Sequence, residues 1–178
     1  MKSNIALIGF MGAGKSTAGK ILAGKLKMEY IELDSLVEEK AGKSIADIFK
    51  CDGETVFRSI ESDAATEASR KDKSVISCGG GIVLNPANIR GLKENAVIIY
   101  LKADPDVILQ RVKGSTEIRP LLQSTNPARS IGELLKSRRP LYEQAADMVI
   151  DTSGLSVNEV VSKIIAGLPT YESVNLKK

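Results

Sequence analysis

The strongest constraint on the fold is a glycine-rich motif near the N-terminus, Gly-Phe-Met-Gly-Ala-Gly-Lys-Ser-Thr at residues 9–17. It matches the phosphate-loop pattern of a glycine, four spacers and Gly-Lys-Ser/Thr. An apolar run at residues 4–8 precedes it, and small or apolar residues recur at helical spacing after Lys15. This strand–loop–helix context lets the N–H groups of the loop and the helix N-terminus face a phosphate. A glycine turn without a ligand is the alternative, but it would leave Lys15 and Ser16 without a packing purpose.

Composition limits the chain to one domain of ordinary globular character. At 178 residues, with 43% hydrophobic residues, it is long enough for one α/β core and short for two. The net charge is only +3 and aromatic residues make up 4%, so we expect no nucleic-acid partner. The sequence has no apolar stretch of membrane-spanning length and no signal peptide, which predicts a cytoplasmic protein without a membrane segment. Cys51 and Cys78 are then expected to be free reduced thiols.

The absence of histidine excludes a large group of mechanisms. No histidine base, nucleophile or metal ligand is possible. Phosphoryl transfer remains compatible with the composition, because it depends on positioning and charge neutralisation more than on a strong base.

Apolar strand-like runs alternate with helical patterns along the chain. This alternation predicts an α/β three-layer sandwich, with a five-stranded parallel sheet flanked by helices and the ligand at the carboxyl ends of the strands. We expect residues 1–178 to form a single domain. The candidate strands are 4–9, 29–33, 74–78, 96–101 and 147–151. The candidate helices are 15–27, 35–50, 54–71, 86–94, 104–113, 129–145 and 156–167, the second of which has an end signal at Gly42 and a new start at Ser44.

Two carboxylates follow the second candidate strand. Alternation in a strand would put Glu32 and Asp34 on the same side, at the edge of the sheet where a doubly wound fold keeps its site. Such a pair could hold Mg²⁺ through water or accept a hydrogen bond from a substrate hydroxyl. Alternatively, Asp34 is simply the N-cap of the next helix.

Further along the chain, an arginine and a glycine turn are candidates for binding an anion. Arg58 has Glu61 three residues on, which indicates either a surface ion pair or an arginine fork aimed at an anionic substrate and oriented by Glu61. Three glycines, Gly79, Gly80 and Gly81, follow the third strand and form either a flexible turn or a backbone surface with free N–H groups. That strand ends in Ser77 where a typical P-loop enzyme has an acid, so Glu32 and Asp34 must cover the acidic role.

Taken together, these motifs resemble the shikimate kinase family, in the nucleoside-monophosphate-kinase-like branch of P-loop proteins. Their spacings cover residues 5–150, nearly the whole chain. The resembling stretches are the phosphate loop, acid-x-Asp at 32–34, Ser-Ile-Ala-Asp-Ile-Phe at 44–49, Asp-Gly-Glu-x-x-Phe-Arg-x-x-Glu at 52–61, the glycines at 79–81, Arg-Pro-Leu-Leu at 119–122 and Arg-x-Pro-Leu-Tyr at 138–142.

The resemblance implies transfer of a phosphoryl group from ATP to shikimate, giving shikimate 3-phosphate and ADP with Mg²⁺, a step of aromatic amino-acid biosynthesis. It implies that Asp34 binds the ring hydroxyls and orients or deprotonates the attacking one. Arg58 and Arg138 would hold the shikimate carboxylate, whereas Arg139 would face solvent. The implied acceptor-binding set is Asp34, Arg58, Gly79, Gly80, Gly81 and Arg138, with residues of about 33–61 as the substrate-binding segment.

On the nucleotide side, the resemblance implies a mobile lid at about residues 112–125. Arg119 would move from the lid onto the transferring phosphates and share the catalytic work with Lys15 and Asp34, although a solvated loop charge is the alternative. Arg111 would lie against the adenine. The implied nucleotide-binding residues are Gly12, Ala13, Gly14, Lys15, Ser16, Thr17, Arg111 and Arg119. Family members are commonly monomers, and we expect a monomer that binds only small molecules.

One position departs from the family pattern. The family commonly has Asp-x-Asp after the second strand, whereas the first acid here is Glu32. We expect Ser16 and, through a water, Glu32 to bind the metal, and a water-mediated contact tolerates the extra methylene better than a direct ligand does. A gluconate- or nucleotide-type kinase and a binding module without catalysis are the competing hypotheses.

Overall fold

The computed structural model describes residues 2–113 and 127–168 and contains a five-stranded parallel sheet. The strands are β1 (Asn4–Ile8), β2 (Glu29–Glu32), β3 (Ser74–Ser77), β4 (Ala96–Lys102) and β5 (Met148–Asp151). Their order in the sheet is β2-β3-β1-β4-β5, and each neighbouring pair is parallel. All five residues of the central strand β1 are buried, which explains the apolar run from Ile5 to Ile8, since such a strand is covered on both faces.

Eight α-helices connect or flank the strands in the described residues. They are α1 (Lys15–Leu26), α2 (Leu33–Ala41), α3 (Ile45–Cys51), α4 (Glu54–Ser69), α5 (Pro86–Asn95), α6 (Pro105–Lys113), α7 (Pro127–Ala145) and α8 (Val157–Ala166), with a 3₁₀ turn at Ile82–Leu84. Helices α1 and α8 contact each other, whereas α4 and α5 pack together and α5 and α7 contact β4. The predicted three-layer α/β architecture is thereby confirmed.

The break predicted inside residues 35–50 is present and separates α2 from α3. Gly42 ends α2 in the left-handed conformation, with φ of 65°, a region that glycine enters at little cost. The Ser44 hydroxyl then accepts a hydrogen bond from the Asp47 N–H and caps α3.

The second strand is shorter than predicted, and this changes the relation between the two acids. Strand β2 ends at Glu32, and Leu33 already belongs to α2. Asp34 therefore lies in the first turn of a helix, so the expectation that strand alternation places it on the same side as Glu32 was wrong. The alternative role of Asp34 as the N-cap was also wrong, because Glu32 occupies that position.

The strand order brings three functional segments to one edge of the sheet. The phosphate loop follows β1, the acids end β2, and the glycine turn follows β3, which lies between β1 and β2. The carboxyl ends of parallel strands meet at one edge, so these segments are neighbours in space. In the described part of the chain, no helix is both long and apolar enough to cross a membrane. Both cysteines are free thiols, with Cys51 exposed and Cys78 buried.

Candidate active site

An open cleft of about 1140 Å³ runs along this edge. The phosphate loop lines one part of it, and Asp34, Arg58 and the glycine turn line another. Most residues predicted from separate motifs thus share one cleft, which has room for a phosphoryl donor and a phosphoryl acceptor side by side. Gly81 and Arg138 do not line it, although both are next to residues that do. The predicted site residues that line it are Gly12, Ala13, Gly14, Lys15, Ser16, Thr17, Glu32, Asp34, Arg58, Gly79, Gly80 and Arg111.

The phosphate loop has the backbone that its glycines predict. Gly9 and Gly14 have φ of 145° and 92°, where other residues are strained. A Cβ atom on Gly9 would also lie 2.5 Å from the carbonyl oxygen of Leu101 in β4, so the loop packs directly on the neighbouring strand. The Lys15 ammonium donates to the carbonyl oxygens of Gly9 and Phe10, at 2.9 and 3.0 Å, and only 8% of the residue is exposed. The loop itself therefore holds the cation at the position where phosphates bind in this motif.

Glu61 and Arg58 form a largely enclosed ion pair. Arg58 Nη1 donates to Glu61 Oε2 at 2.7 Å, and its other nitrogens reach the exposed Glu54, with Nη2 2.9 Å from Oε1. Glu61 is 2% exposed, and burial raises its pKa although Arg58 partly offsets the effect. The arginine-fork hypothesis is therefore favoured over a surface ion pair, since two carboxylates fix the guanidinium at the cleft.

The glycine turn makes room for three charged groups. A Cβ atom on Gly79 would lie 2.7 Å from Asp34 Oδ1 and 3.1 Å from Glu61 Oε1, and one on Gly81 would lie 2.2 Å from Arg58 Nη1. Any side chain at these positions would displace the carboxylates or the guanidinium. Within the described residues, the N–H groups of Gly79, Gly80 and Gly81 donate to no protein acceptor, and Gly79 and Gly80 line the cleft.

Two side chains of α7 hold the carbonyl group of Gly80. Arg138, 6% exposed, has Nη1 3.5 Å from this oxygen, and the Tyr142 hydroxyl donates to it. Tyr142 stacks on Tyr100 of β4, with ring centroids 5.0 Å apart. The opposite side of Gly80 faces the phosphate loop, because a Cβ atom there would lie 3.4 Å from the Met11 nitrogen. The glycine turn is thus fixed between α7 and the loop.

At the other end of the cleft, Arg111 joins the loop to the turn after β5. Its Nη1 lies 3.3 Å from the Gly12 oxygen and 3.2 Å from Thr152 Oγ1, and its Nη2 lies 3.2 Å from the Thr152 oxygen. Leu155, Val157 and Val160 line the cleft beside this turn and give it an apolar wall. The flat face of an aromatic ring such as adenine would pack well against that wall.

Some predicted positions fall elsewhere. Arg119 and nearly all of the predicted lid lie outside the described residues. Arg139 was expected to face solvent, but it is half-buried beside Tyr100, and its Nε atom is buried without a partner in the described structure. The prediction for Arg139 was therefore wrong, because an arginine stem on a packed helix covers apolar surface.

The sequence analysis did not single out four residues that contribute to the site: Tyr30, Tyr100, Tyr142 and Thr152. The Tyr30 hydroxyl donates to Glu32 Oε2, and burial together with this carboxylate raises the pKa of Tyr30. Thr152 is 2% exposed and contacts both Arg111 and the phosphate loop. Tyr142 had a sequence signal as the last residue of the motif at 138–142, and Tyr30 had one as the residue two positions before Glu32 on a candidate strand.

The P-loop fold, the phosphate loop and the adjoining anion pocket define a P-loop kinase that acts on a small molecule. A profile of the shikimate kinase family matches residues 11–169. A shikimate kinase of Caldanaerobacter subterraneus subsp. tengcongensis is 48% identical over 91% of this chain and 94% of its own length. The chain belongs to the shikimate kinase family.

Two further relatives agree with this assignment. A shikimate kinase of Pelotomaculum thermopropionicum is 47% identical over 96% of this chain and 98% of its own length. The solved structure of a shikimate kinase from Acinetobacter baumannii in complex with shikimate superposes with a TM-score of 0.90 at 35% identity, covering 99% of this chain and 97% of that one. The likeness therefore extends over the whole fold and is not limited to the phosphate loop.

Proposed function

We propose that this chain transfers the γ-phosphoryl group of ATP to the 3-hydroxyl of shikimate, giving shikimate 3-phosphate and ADP. The observation that carries the proposal is the continuity of the cleft, in which the phosphate loop adjoins a pocket lined by the Asp34 carboxylate, the fixed Arg58 guanidinium and the glycine turn, with Arg138 next to that turn. A hydroxylated carboxylic acid matches that pocket, because arginine binds carboxylate and Asp34 accepts hydrogen bonds from hydroxyls.

The nucleotide would occupy the loop end of the cleft. The backbone of Gly12, Ala13 and Gly14 with Lys15, Ser16 and Thr17 would surround the β- and γ-phosphates, and the α1 N-terminus adds its positive dipole end. Arg111 would lie against the adenine, which would rest on the apolar wall next to Thr152. Fixing ATP at several points leaves its γ-phosphorus facing the acceptor pocket.

The acceptor would be held by its carboxylate and its hydroxyls. Arg58 and Arg138 would bind the carboxylate, and the N–H groups of Gly79, Gly80 and Gly81 would donate the remaining hydrogen bonds. Asp34 would accept the hydrogen bond of the attacking hydroxyl and take its proton as the oxygen bonds to phosphorus. The bond to the bridging oxygen of ADP then breaks, and ADP leaves with the electron pair.

Two positive side chains would neutralise the negative charge of the γ-phosphoryl group during transfer. Lys15 is already at the loop, and we assign the second charge to Arg119 in the predicted lid at 112–125, on the strength of the family resemblance. Arginine groups of this kind stabilise the charge that spreads over the γ-phosphoryl oxygens.

Mg²⁺ would bind at the loop end, with the Ser16 hydroxyl as a ligand and Glu32 as a ligand through water. The donor set fits, because Mg²⁺ prefers oxygen and usually keeps several waters beside one or two protein groups and substrate phosphates. Ser16 and Glu32 both line the cleft, so the two groups that would hold the ion share its loop end. When bound there, such an ion would supply positive charge that offsets the negative charge of the phosphates.

We further propose that residues 1–178 act as one monomeric domain in the cytoplasm, without a nucleic-acid or membrane partner. The two free thiols are compatible with a reducing compartment. Size-exclusion chromatography with light scattering would report a mass near 19.1 kDa for a monomer.

A coupled ADP-release assay tests the reaction directly. Shikimate, gluconate and AMP would be offered in turn with ATP and Mg²⁺, and only shikimate should raise ADP release well above the rate with water. Preference for gluconate or AMP would establish one of the competing kinase functions. An absence of acceptor-dependent release would favour a binding module.

Replacing Arg138 by alanine should raise the Kd for shikimate at least about 30-fold, equivalent to about 2 kcal/mol, and spare nucleotide binding. The reason is that this buried side chain reaches the glycine turn and no part of the phosphate loop. Isothermal titration with shikimate and, separately, with ADP would measure both effects. Arg129→Ala, at an exposed position of the same helix, is the matched control. Equal losses of affinity for shikimate and for ADP would contradict the proposal that the two ligands occupy separate parts of the cleft.

A further inference from the structure

Tyr30 lies beside the phosphate loop and has no part in the steps proposed above. It stands two positions before Glu32 on β2, so the two side chains project from the same face of the sheet. Helix α1, which begins with the phosphate-loop lysine, contacts β2 on that face. The tyrosine is therefore in a position to influence the loop through Glu32.

The ring of Tyr30 is fixed by its contact with α1. A Cβ atom on Gly19 would lie 2.8 Å from Cε2 of the ring, so this glycine provides the space in which the ring sits. The Lys20 ammonium lies 5.8 Å from the ring centroid and adds a cation–π contact. With the ring held in this way, the hydroxyl has one accessible region, between Glu32 and the start of α1.

The hydroxyl has one clear partner there. It donates to Glu32 Oε2, and the hydroxyls of Ser16 and Ser77 are its other polar neighbours. A single donor occupies one carboxylate oxygen and leaves Oε1 to accept from another group. Glutamate has one more rotatable bond than aspartate, so without this hydrogen bond its carboxylate would sample more positions, at an entropic cost to any ligand that must order it.

We propose that Tyr30 is a positioning residue that holds the Glu32 carboxylate beside Ser16, in the orientation that binds a divalent cation through water at the phosphate loop. The family pattern has an aspartate at this position, and its shorter side chain has fewer positions to sample. In this chain, the hydrogen bond from Tyr30 would restrict the longer Glu32 side chain in the same way. Partners of this kind orient a ligand without touching the ion. The inference rests on the proposed function, which supplies the nucleotide and the cation.

Tyr30→Phe is the direct test, because it removes the hydroxyl and keeps the ring that packs on Gly19. Mn²⁺ can replace Mg²⁺ as the probe, and electron paramagnetic resonance of free Mn²⁺ gives its Kd for the enzyme–ADP complex. We expect Mn²⁺ to bind about 10-fold more weakly to the variant, with ADP affinity in the absence of metal unchanged. Unchanged or tighter Mn²⁺ binding would overturn the proposal.

A double-mutant cycle separates positioning from a general structural effect. In a Glu32→Gln background, Tyr30→Phe should cause little further loss of Mn²⁺ affinity, because the tyrosine acts through the carboxylate. Independent, additive losses would show that Tyr30 acts in another way and would also overturn the proposal. The titration requires no turnover, so its outcome stands apart from whether shikimate is phosphorylated.

Discussion

Replacing Lys15 by alanine should lower kcat by at least about 10³-fold while the fold is retained. The carbonyl oxygens of Gly9 and Phe10 fix the ammonium at the phosphate loop, where we propose that it neutralises the transferring phosphoryl group. No other described residue places a cation on those two carbonyls. The two lost hydrogen bonds are buried and involve a charged group, so each costs about 1.5–3 kcal/mol and the variant should also melt at a lower temperature.

Steady-state kinetics and circular dichroism check this prediction together. Lys25→Ala is the matched control, because Lys25 is an exposed lysine of the same helix and lies outside the cleft. The control should keep its kcat and its melting temperature. A Lys15→Ala enzyme that retained kcat within 10-fold would show that the loop lysine does not carry the charge neutralisation.

Asp34→Asn should lower kcat about 10²- to 10⁴-fold, with ATP affinity unchanged. Asparagine keeps the volume next to Gly79, so the turn needs no adjustment, but the amide cannot take the proton of the attacking hydroxyl. The effect should appear in kcat more than in the Kd for shikimate, because Arg58 and Arg138, as proposed, would still bind the carboxylate of the acceptor.

Single-turnover kinetics and titration with ADP distinguish the possible outcomes. Asp63→Asn, at an exposed position of α4 away from the cleft, serves as the control for the loss of one carboxylate. Loss of nucleotide affinity in parallel with kcat would place Asp34 on the metal side and contradict its assignment to the acceptor.

The architecture could be predicted from the sequence because its signals are local. The apolar run of β1 and the glycines of the loop determine a strand and a turn within a few residues. The end signal at Gly42 and the cap at Ser44 gave the correct break between α2 and α3. The end of β2 could not be fixed in this way, since Glu32 and Leu33 fit either a strand or a helix start, and the contacts of the whole sheet decide between them.

The supporting contacts of the candidate site depend on pairs far apart in the chain. Tyr142 holds Gly80 at a separation of 62 residues, and Arg111 meets Thr152 at 41. From the sequence alone, a tyrosine or threonine at these positions cannot be distinguished from an ordinary packing residue, because its partner is not known. The proximity of Tyr30 to Glu32 could have been predicted, because the two residues are two positions apart on one strand. The packing of the Tyr30 ring could not, because it depends on Gly19, which leaves room for the ring.

The contact between Gly80 and the phosphate loop sets a limit on how the cleft could be redesigned. The acceptor turn lies against the loop backbone, with the position of a Gly80 Cβ 3.7 Å from the Gly9 oxygen, and Gly9 in turn lies against the backbone of β4. In the proposed complex, main-chain packing would therefore set the distance between ATP and the phosphoryl acceptor, whereas side chains such as Arg58 and Arg138 would select the acceptor. Laboratory evolution toward new acceptors should succeed by side-chain exchange for molecules of similar depth, whereas a longer gap would need a rebuilt backbone.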